Sequence, residues 1–283
     1  MDAPLYEQWG GPELRTCLLG SQIHSAANGG EVARVPPIDE SQIRVILLDI
    51  EGTTTPVDFV YQTLFPYANR KLESFLREHS QDPEIQSLIQ DLRTQHEVDG
   101  RNGLEPPGWL DNTEEARLCS SVVYSQWLIA RDSKCTPLKS LQGKIWQEGF
   151  MSGELRGEVF PDVPMAFERW RRQKRIICIY SSGSVLAQQL LFRTTSSGDL
   201  TPYISAFFDT GVGAKTEGES YKKIAASFSH APHLFFFVSD AVKEIRAAQS
   251  VGMQAILCER DSRASSSPTT GGVIRSFDAV LPD

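Results

Sequence analysis

The chain has 283 residues, 40% hydrophobic and 23% charged, with a formal net charge of −8, the balance of a soluble globular protein with one large or two modest domains. That charge argues against nucleic acid or an anionic membrane as the main partner, although a local basic pocket for a small phosphate remains open. Five cysteines (Cys17, Cys119, Cys135, Cys178 and Cys258) without a CxxC pair fit reduced thiols inside a cell rather than a disulfide framework.

Residues 1–42 mix glycine, proline and polar residues without a sustained period and are read as a loosely structured extension. With acids such as Asp2, Glu7, Glu13 and Glu31 and without an apolar block, they are not expected to act as a transit or secretory leader. No stretch of the chain approaches bilayer length. The expected location is the cytosol, with the nucleus as an alternative.

Arg44 to Pro56, RVILLDIEGTTTP, reads as a buried strand that delivers Asp49 and Glu51 to a glycine turn. If strand geometry persisted to Glu51, both acids would share one face, with Ile50 opposite. A solvated acidic turn accounts for the pair equally well at this point. From Val57 to about Gly157 the pattern turns helical, with Phe59, Leu64, Tyr67, Leu72, Phe75 and Leu76 at spacings of three to five. Asp99 to Gly103, continuing to Gly108, reads as a loop, and Trp109, Trp127, Trp146 and Phe150 read as packing residues of a helical bundle rather than ligand contacts.

Strand signals return after Pro161. A short helix over 165–173 leads to the apolar run Arg175 to Tyr180, which ends in Ser181-Ser182-Gly183-Ser184 before a helix from Val185. That helix start is an anion cradle of free N–H groups beside two hydroxyls. Ala206 to Phe208 is a further strand, followed by a loop bearing Lys215 and a helix from Ser220. Leu234 to Val238 ends in Ser239-Asp240 before a helix carrying Glu244, and Gln254 to Leu257 is the last strong strand. Ser262 to Gly272 is a loop by composition. The alternation predicts an α/β fold: a doubly wound parallel sheet, formed by 43–56 and 158–283, with a helical insertion at 57–157 after its first strand.

Every candidate polar residue falls at a strand's C-terminal end, where chemistry collects in such folds. Asp49, Glu51 and Asp240 supply oxygen ligands for a hard cation such as Mg²⁺. Ser181 or Ser182 with neighbouring N–H groups can hold phosphoryl oxygens, and Lys215 places positive charge over them. Asp49 can attack phosphorus to form an aspartyl phosphate, with Glu51 as acid for the leaving group and base for water. His24, His79, His96, His230 and His233 show no ligand spacing beyond a loop pair and read as surface residues.

In their order these residues resemble the haloacid dehalogenase superfamily: an aspartate nucleophile, a serine or threonine, a lysine, then an acidic motif. Within it, ILLDIEGTTTP with Glu51 in place of the usual second aspartate, IYSSGSV at 179–185, GAKTEGESYKKIA at 213–225 and VSDAVKE at 238–244 resemble the acireductone synthase, or enolase-phosphatase, family. The resemblance implies enolisation and dephosphorylation of 2,3-diketo-5-methylthiopentyl 1-phosphate in methionine salvage. It also implies one Mg²⁺ per subunit held by Asp49, Glu51 and Asp240, substrate contacts from Ser181, Ser182 and Lys215, and a cap formed by the insertion. A monomer is the expected state, although no sequence feature decides it. A phosphatase of another small phosphomonoester is the nearest rival. A non-catalytic relative would not need Asp49, Lys215 and Asp240 together, and a haloalkanoate dehalogenase would leave Glu51 and Asp240 unexplained.

Overall fold

The computed structural model describes residues 38–260 and 272–283. Most of the N-terminal extension, with Cys17 and His24, and nearly all of the 262–272 loop lie outside the described residues. Six strands, β1 (Val45–Leu48), β2 (Ile176–Tyr180), β3 (Ile204–Phe208), β4 (Phe235–Ser239), β5 (Gln254–Cys258) and β6 (Val273–Ile274), form one sheet in the order β3-β2-β1-β4-β5-β6. Every neighbouring pair is parallel.

The apolar runs are explained by burial on both faces. Ile46, Leu48, Ile177, Ile179, Phe236 and Val238 point into one core, and Val45, Leu47, Cys178, Tyr180, Phe235 and Phe237 into the other. Between β1 and β2 the chain makes a π-helical stretch, Phe59–Leu64, and the helices α1 (Phe65–Glu78), α2 (Pro83–Arg101), α3 (Glu114–Ala130) and α4 (Thr136–Ser152). Asp82 caps α2 by accepting the Glu84 N–H at 2.8 Å, and Thr113 caps α3 by accepting that of Ala116 at 3.0 Å. The helices α5 (Asp162–Arg172) and α6 (Val185–Arg193) bring Phe167, Trp170, Leu190 and Phe192 to the first core. The second core is closed by α7 (Gly218–Ser227) and α8 (Val242–Ser250) through Tyr221, Ile224, Ala247 and Ala248.

The expected doubly wound parallel sheet with a helical insertion is therefore what the chain forms. Local details differ. The composition-based loop at 99–103 is wrong for its first three residues, because α2 continues to Arg101. Asp99 is buried there and accepts the Tyr124 hydroxyl at 2.6 Å, a tertiary contact that outweighs the poor helix propensity of the Asp-Gly pair. His96 is no surface residue either. It packs on Tyr124 with ring centroids 5.0 Å apart, and its Nε2 lies 2.7 Å from the Pro107 carbonyl. Cys119, Cys135, Cys178 and Cys258 are free thiols. Among the described residues no helix is long and apolar enough to cross a membrane.

Candidate active site

In the order β3-β2-β1-β4-β5-β6 the chain winds one way from β1 and the other way from β4. These two neighbours therefore form the switch point of the sheet, beyond whose C-terminal strand ends ligands bind in such folds. Asp49 follows β1 directly, and its N–H donates to Val238 at 3.0 Å, extending the β1–β4 ladder by one residue. Asp49 Oδ1 accepts the Ile50 N–H at 2.7 Å and lies 2.6 Å from Lys215 Nζ. Lys215 also pairs with Glu244 Oε2 at 2.7 Å. Ser239 Oγ stands 3.0 Å from Asp49 Oδ2 and 2.9 Å from Glu244 Oε2, so its one proton serves either carboxylate.

The side chains of Lys215, Asp49 and Glu244 are only 10%, 7% and 15% exposed. Burial alone would disfavour the ammonium, but Asp49 and Glu244 outweigh it and hold Lys215 above its ordinary pKa. Glu244 moves upward, through burial and then repulsion from Asp49. Asp240 is exposed as a residue, yet its carboxylate rests against Gly52. Desolvation, then Asp49, push its pKa up to about 7, with Lys215 pulling the other way.

Strand geometry does not persist to Glu51. The N–H groups of Thr53, Thr54 and Thr55 all turn back to the Ile50 carbonyl, at 3.2, 3.0 and 2.9 Å, and Gly52 adopts φ +64°. Glu51 is thereby turned with Ile50 into the wall of a cavity of about 90 Å³ between the sheet ends and the insertion. Ser181 and Ser182 line the same cavity, as do Trp146, Lys134 and Lys139 of the insertion. Burial first and Asp49 second raise the pKa of Glu51, and Lys134 is the foremost cation opposing them. Lys139 Nζ donates to the Ser182 carbonyl at 3.2 Å, so the insertion also touches the serine loop. Ser184 caps α6 by accepting the Ala187 N–H at 3.3 Å, leaving that helix start beside Ser181 and Ser182.

Glu51, Ser181 and Ser182 thus share one cavity wall. Asp49, Lys215 and Asp240 form an electrostatic cluster joined to it through Ile50 and Glu51. Ser239 was not foreseen, and Glu244 was seen only as a helix residue. An acid one helical turn beyond Asp240 was the available signal. Trp146 and Phe150, read as packing residues, both line the cavity, and the Trp146 indole N–H donates to Leu64 at 2.8 Å. Nothing in the sequence distinguished them from bundle tryptophans and phenylalanines.

Among the described residues no three His, Cys, Asp or Glu side chains converge as a metal cage. Glu51 lines the cavity instead. The remaining oxygen donors, the carboxylates of Asp49 and Asp240, suit a hard cation that keeps several waters. A Cβ on Gly52 would stand 2.2 Å from Asp240 Oδ2. The glycine therefore leaves room for that carboxylate beside the loop.

A family model for haloacid dehalogenase-like hydrolases matches residues 43–252. The chain is 47% identical over 238 residues to a protein of Synechococcus elongatus called enolase-phosphatase E1, covering 84% of this chain and 98% of the relative. It is 43% identical over 228 residues to the Drosophila melanogaster protein of the same name, covering 80% and 87%. The crystal structure of the UTR4 protein of Saccharomyces cerevisiae superposes with a TM-score of 0.66 at 30% identity, covering 84% of this chain and all of that one. With so much of each relative matched, and with Asp49, Lys215 and Asp240 gathered at the β1–β4 switch point, the chain belongs to the enolase-phosphatase E1 family of haloacid dehalogenase-like hydrolases.

Proposed function

We infer that this chain is a Mg²⁺-dependent enolase-phosphatase that converts 2,3-diketo-5-methylthiopentyl 1-phosphate to acireductone and phosphate in methionine salvage. The carrying observation is the division of the two acids after β1. Asp49 is ion-paired to Lys215, whereas Glu51 lines a mostly apolar cavity with Ser181 and Ser182. Two kinds of chemistry, at phosphorus and at carbon, are thereby given separate groups two residues apart.

In this reading Asp49 is the nucleophile. Lys215 pairs with it, and its attack on phosphorus breaks the bond to the substrate oxygen and forms an aspartyl phosphate that water then cleaves. Ser181, Ser182 and the N–H groups at the start of α6 hold phosphoryl oxygens. Mg²⁺ would be held by the carboxylates of Asp49 and Asp240 and by the main-chain carbonyl of Glu51. When bound it supplies charge neutralisation for the acids and for the phosphoryl group. The Glu51 side chain stays free to take the proton from carbon next to a carbonyl and to serve as acid and base in phosphate release. The insertion 57–157 acts as a cap over a core of 43–56 and 158–283. Trp146, Phe65 and Leu64 of the cap line the cavity where an apolar tail fits.

The same reading places a monomer in the cytosol, or the nucleus, acting on a small phosphorylated diketone. The net charge of −8 supports the exclusion of nucleic acid and membrane. The test follows two signals from the diketo phosphate: ultraviolet absorbance of the enol intermediate and released phosphate. Both should rise, and both should need Mg²⁺. Phosphate release without any enol signal would point instead to a phosphatase of another small phosphomonoester.

A further inference from the structure

The loop that carries Asp49 is tied down by a residue more than two hundred positions away. Three of its N–H groups turn inward to the Ile50 carbonyl, and two further carbonyls have local partners: Thr54 Oγ1 donates to the Asp49 carbonyl at 3.0 Å and Gly52 N–H to Thr55 at 2.9 Å. The carbonyl of Thr53 is served from outside. Arg260 donates to it twice, through Nε at 2.9 Å and Nη2 at 2.7 Å. The third arm, Nη1, pairs with Asp162 Oδ2 at 2.6 Å, with the two side chains 8% and 11% exposed.

Both sides of the guanidinium are occupied. The Phe160 ring centroid lies 4.3 Å from Cζ and that of Phe277 4.5 Å. Phe160 in turn donates its N–H to the Thr54 carbonyl at 2.9 Å. Asp162, at the start of α5, also accepts from Ser276 Oγ at 3.1 Å and from the Phe277 N–H. One buried cation therefore meets the nucleophile loop, the segment returning from the insertion, and the C-terminal segment. Only a planar, always-charged fork of donors fills this place; an ammonium on a flexible stem cannot hold one carbonyl twice and also reach a carboxylate beside two rings.

We propose that Arg260 is a positioning residue for the reaction, fixing the loop between Asp49 and the cap linker through the Thr53 carbonyl. The inference rests on the assignment of Asp49 as nucleophile. Arg260 does not line the cavity. It acts by holding Gly52 and Thr53, and with them the carboxylates of Asp49 and Asp240, in one register relative to the linker at Phe160. A displacement of about 1 Å in such a group is enough to cost roughly 10²-fold in rate.

The ion pair can be broken from either end, and only one end frees the loop. Arg260→Lys loses the double contact with Thr53, whereas Asp162→Asn leaves it in place. With both variants folded by circular dichroism, Arg260→Lys should lower kcat by roughly 10²-fold with KM little changed. Asp162→Asn should lose melting temperature but keep most of its kcat. As a second measurement, Arg260→Ala should regain kcat when millimolar guanidinium is added, and not when sodium chloride of equal ionic strength replaces it. Equal loss of kcat from both ends, a folded Arg260→Lys with wild-type kcat, or a folded Arg260→Ala without rescue would overturn the proposal. Failure of both Arg260 variants to fold would overturn it as well, since the residue would then act on stability alone. A wild-type protein that releases no phosphate from the diketo phosphate refutes the proposed function instead.

Discussion

Gly52→Ala isolates the contact between the nucleophile loop and Asp240. The new Cβ would stand 2.2 Å from Asp240 Oδ2 and 2.8 Å from its Cγ. Carbon and oxygen settle at about 3.5 Å, so the carboxylate would have to retreat by about 1.3 Å. Gly52 also sits at φ +64°, where a side chain costs about 1–2 kcal/mol. That cost is small against a domain stability of about 5–15 kcal/mol, so the variant folds.

If Asp240 holds Mg²⁺ as proposed, a carboxylate moved by this much cannot keep the oxygen distances that the ion demands. The Mg²⁺ concentration for half-maximal activity should rise by roughly 10–100-fold, and kcat at fixed Mg²⁺ should fall by roughly 10²-fold. The assay is phosphate release as a function of Mg²⁺. Gly103→Ala is the control, because Gly103 has φ +75° but no neighbour within 4 Å of the added carbon. It carries the same backbone penalty and should keep wild-type activity. A folded Gly52→Ala with unchanged Mg²⁺ dependence, or an equal loss in Gly103→Ala, would refute the reasoning.

Asp49→Asn should abolish phosphate release while the circular dichroism spectrum stays native, and turnover at a normal rate without deamidation would remove Asp49 as nucleophile. Chelation of Mg²⁺ should stop both the enol signal and phosphate release, with recovery on adding Mg²⁺ back; persistence of either signal would end the metal assignment for that step. Lys215→Met leaves Asp49 and Glu244 buried without their ammonium. Urea unfolding in the absence of metal should then show a loss of about 3–5 kcal/mol, and an unchanged midpoint would mean that the ion pairs do not matter to the fold. Glu51→Asp keeps the acid but shortens its reach by a methylene. The enol signal should fall more than the hydrolysis of a simple aryl phosphate, and equal retention of both would defeat the reach argument.

The sheet and the strand-end residues were legible because both follow from local pattern. Val45 to Leu48 and Phe235 to Val238 are apolar throughout, and that demands cover on both faces wherever such strands lie. Asp49, Ser181, Lys215 and Asp240 then fall beyond C-terminal strand ends by counting alone. The direction of Glu51 was not legible, because it depends on three threonine N–H groups folding back on Ile50. Asp99 and His96 were misread because their partners, Tyr124 and Pro107, lie in other segments. Arg260 was invisible for the same reason: a lone arginine after a strand carries no sign of the carbonyl and two rings that enclose it. Propensity and period report on a residue's own element, whereas these placements are decided between elements.

The turn after β1 has a further electrostatic consequence. Had Glu51 followed strand alternation, it would have joined Asp49 and Glu244 around Lys215, with three carboxylates sharing one ammonium. Two like charges about 4 Å apart cost about 4 kcal/mol at an effective dielectric of 20, so such a cluster would shed a charge, and the acid to be protonated would be set by small differences in burial. The reversal at Gly52 turns Glu51 toward a cavity wall that also carries Lys134, while Asp49 still raises its pKa, second to burial. Asp49 keeps its cation, and Glu51 has a proton affinity raised by burial and Asp49 and lowered by Lys134 of the insertion. The two acids of one short loop thereby meet different surroundings, the Lys215 ammonium for Asp49 and the cavity wall for Glu51.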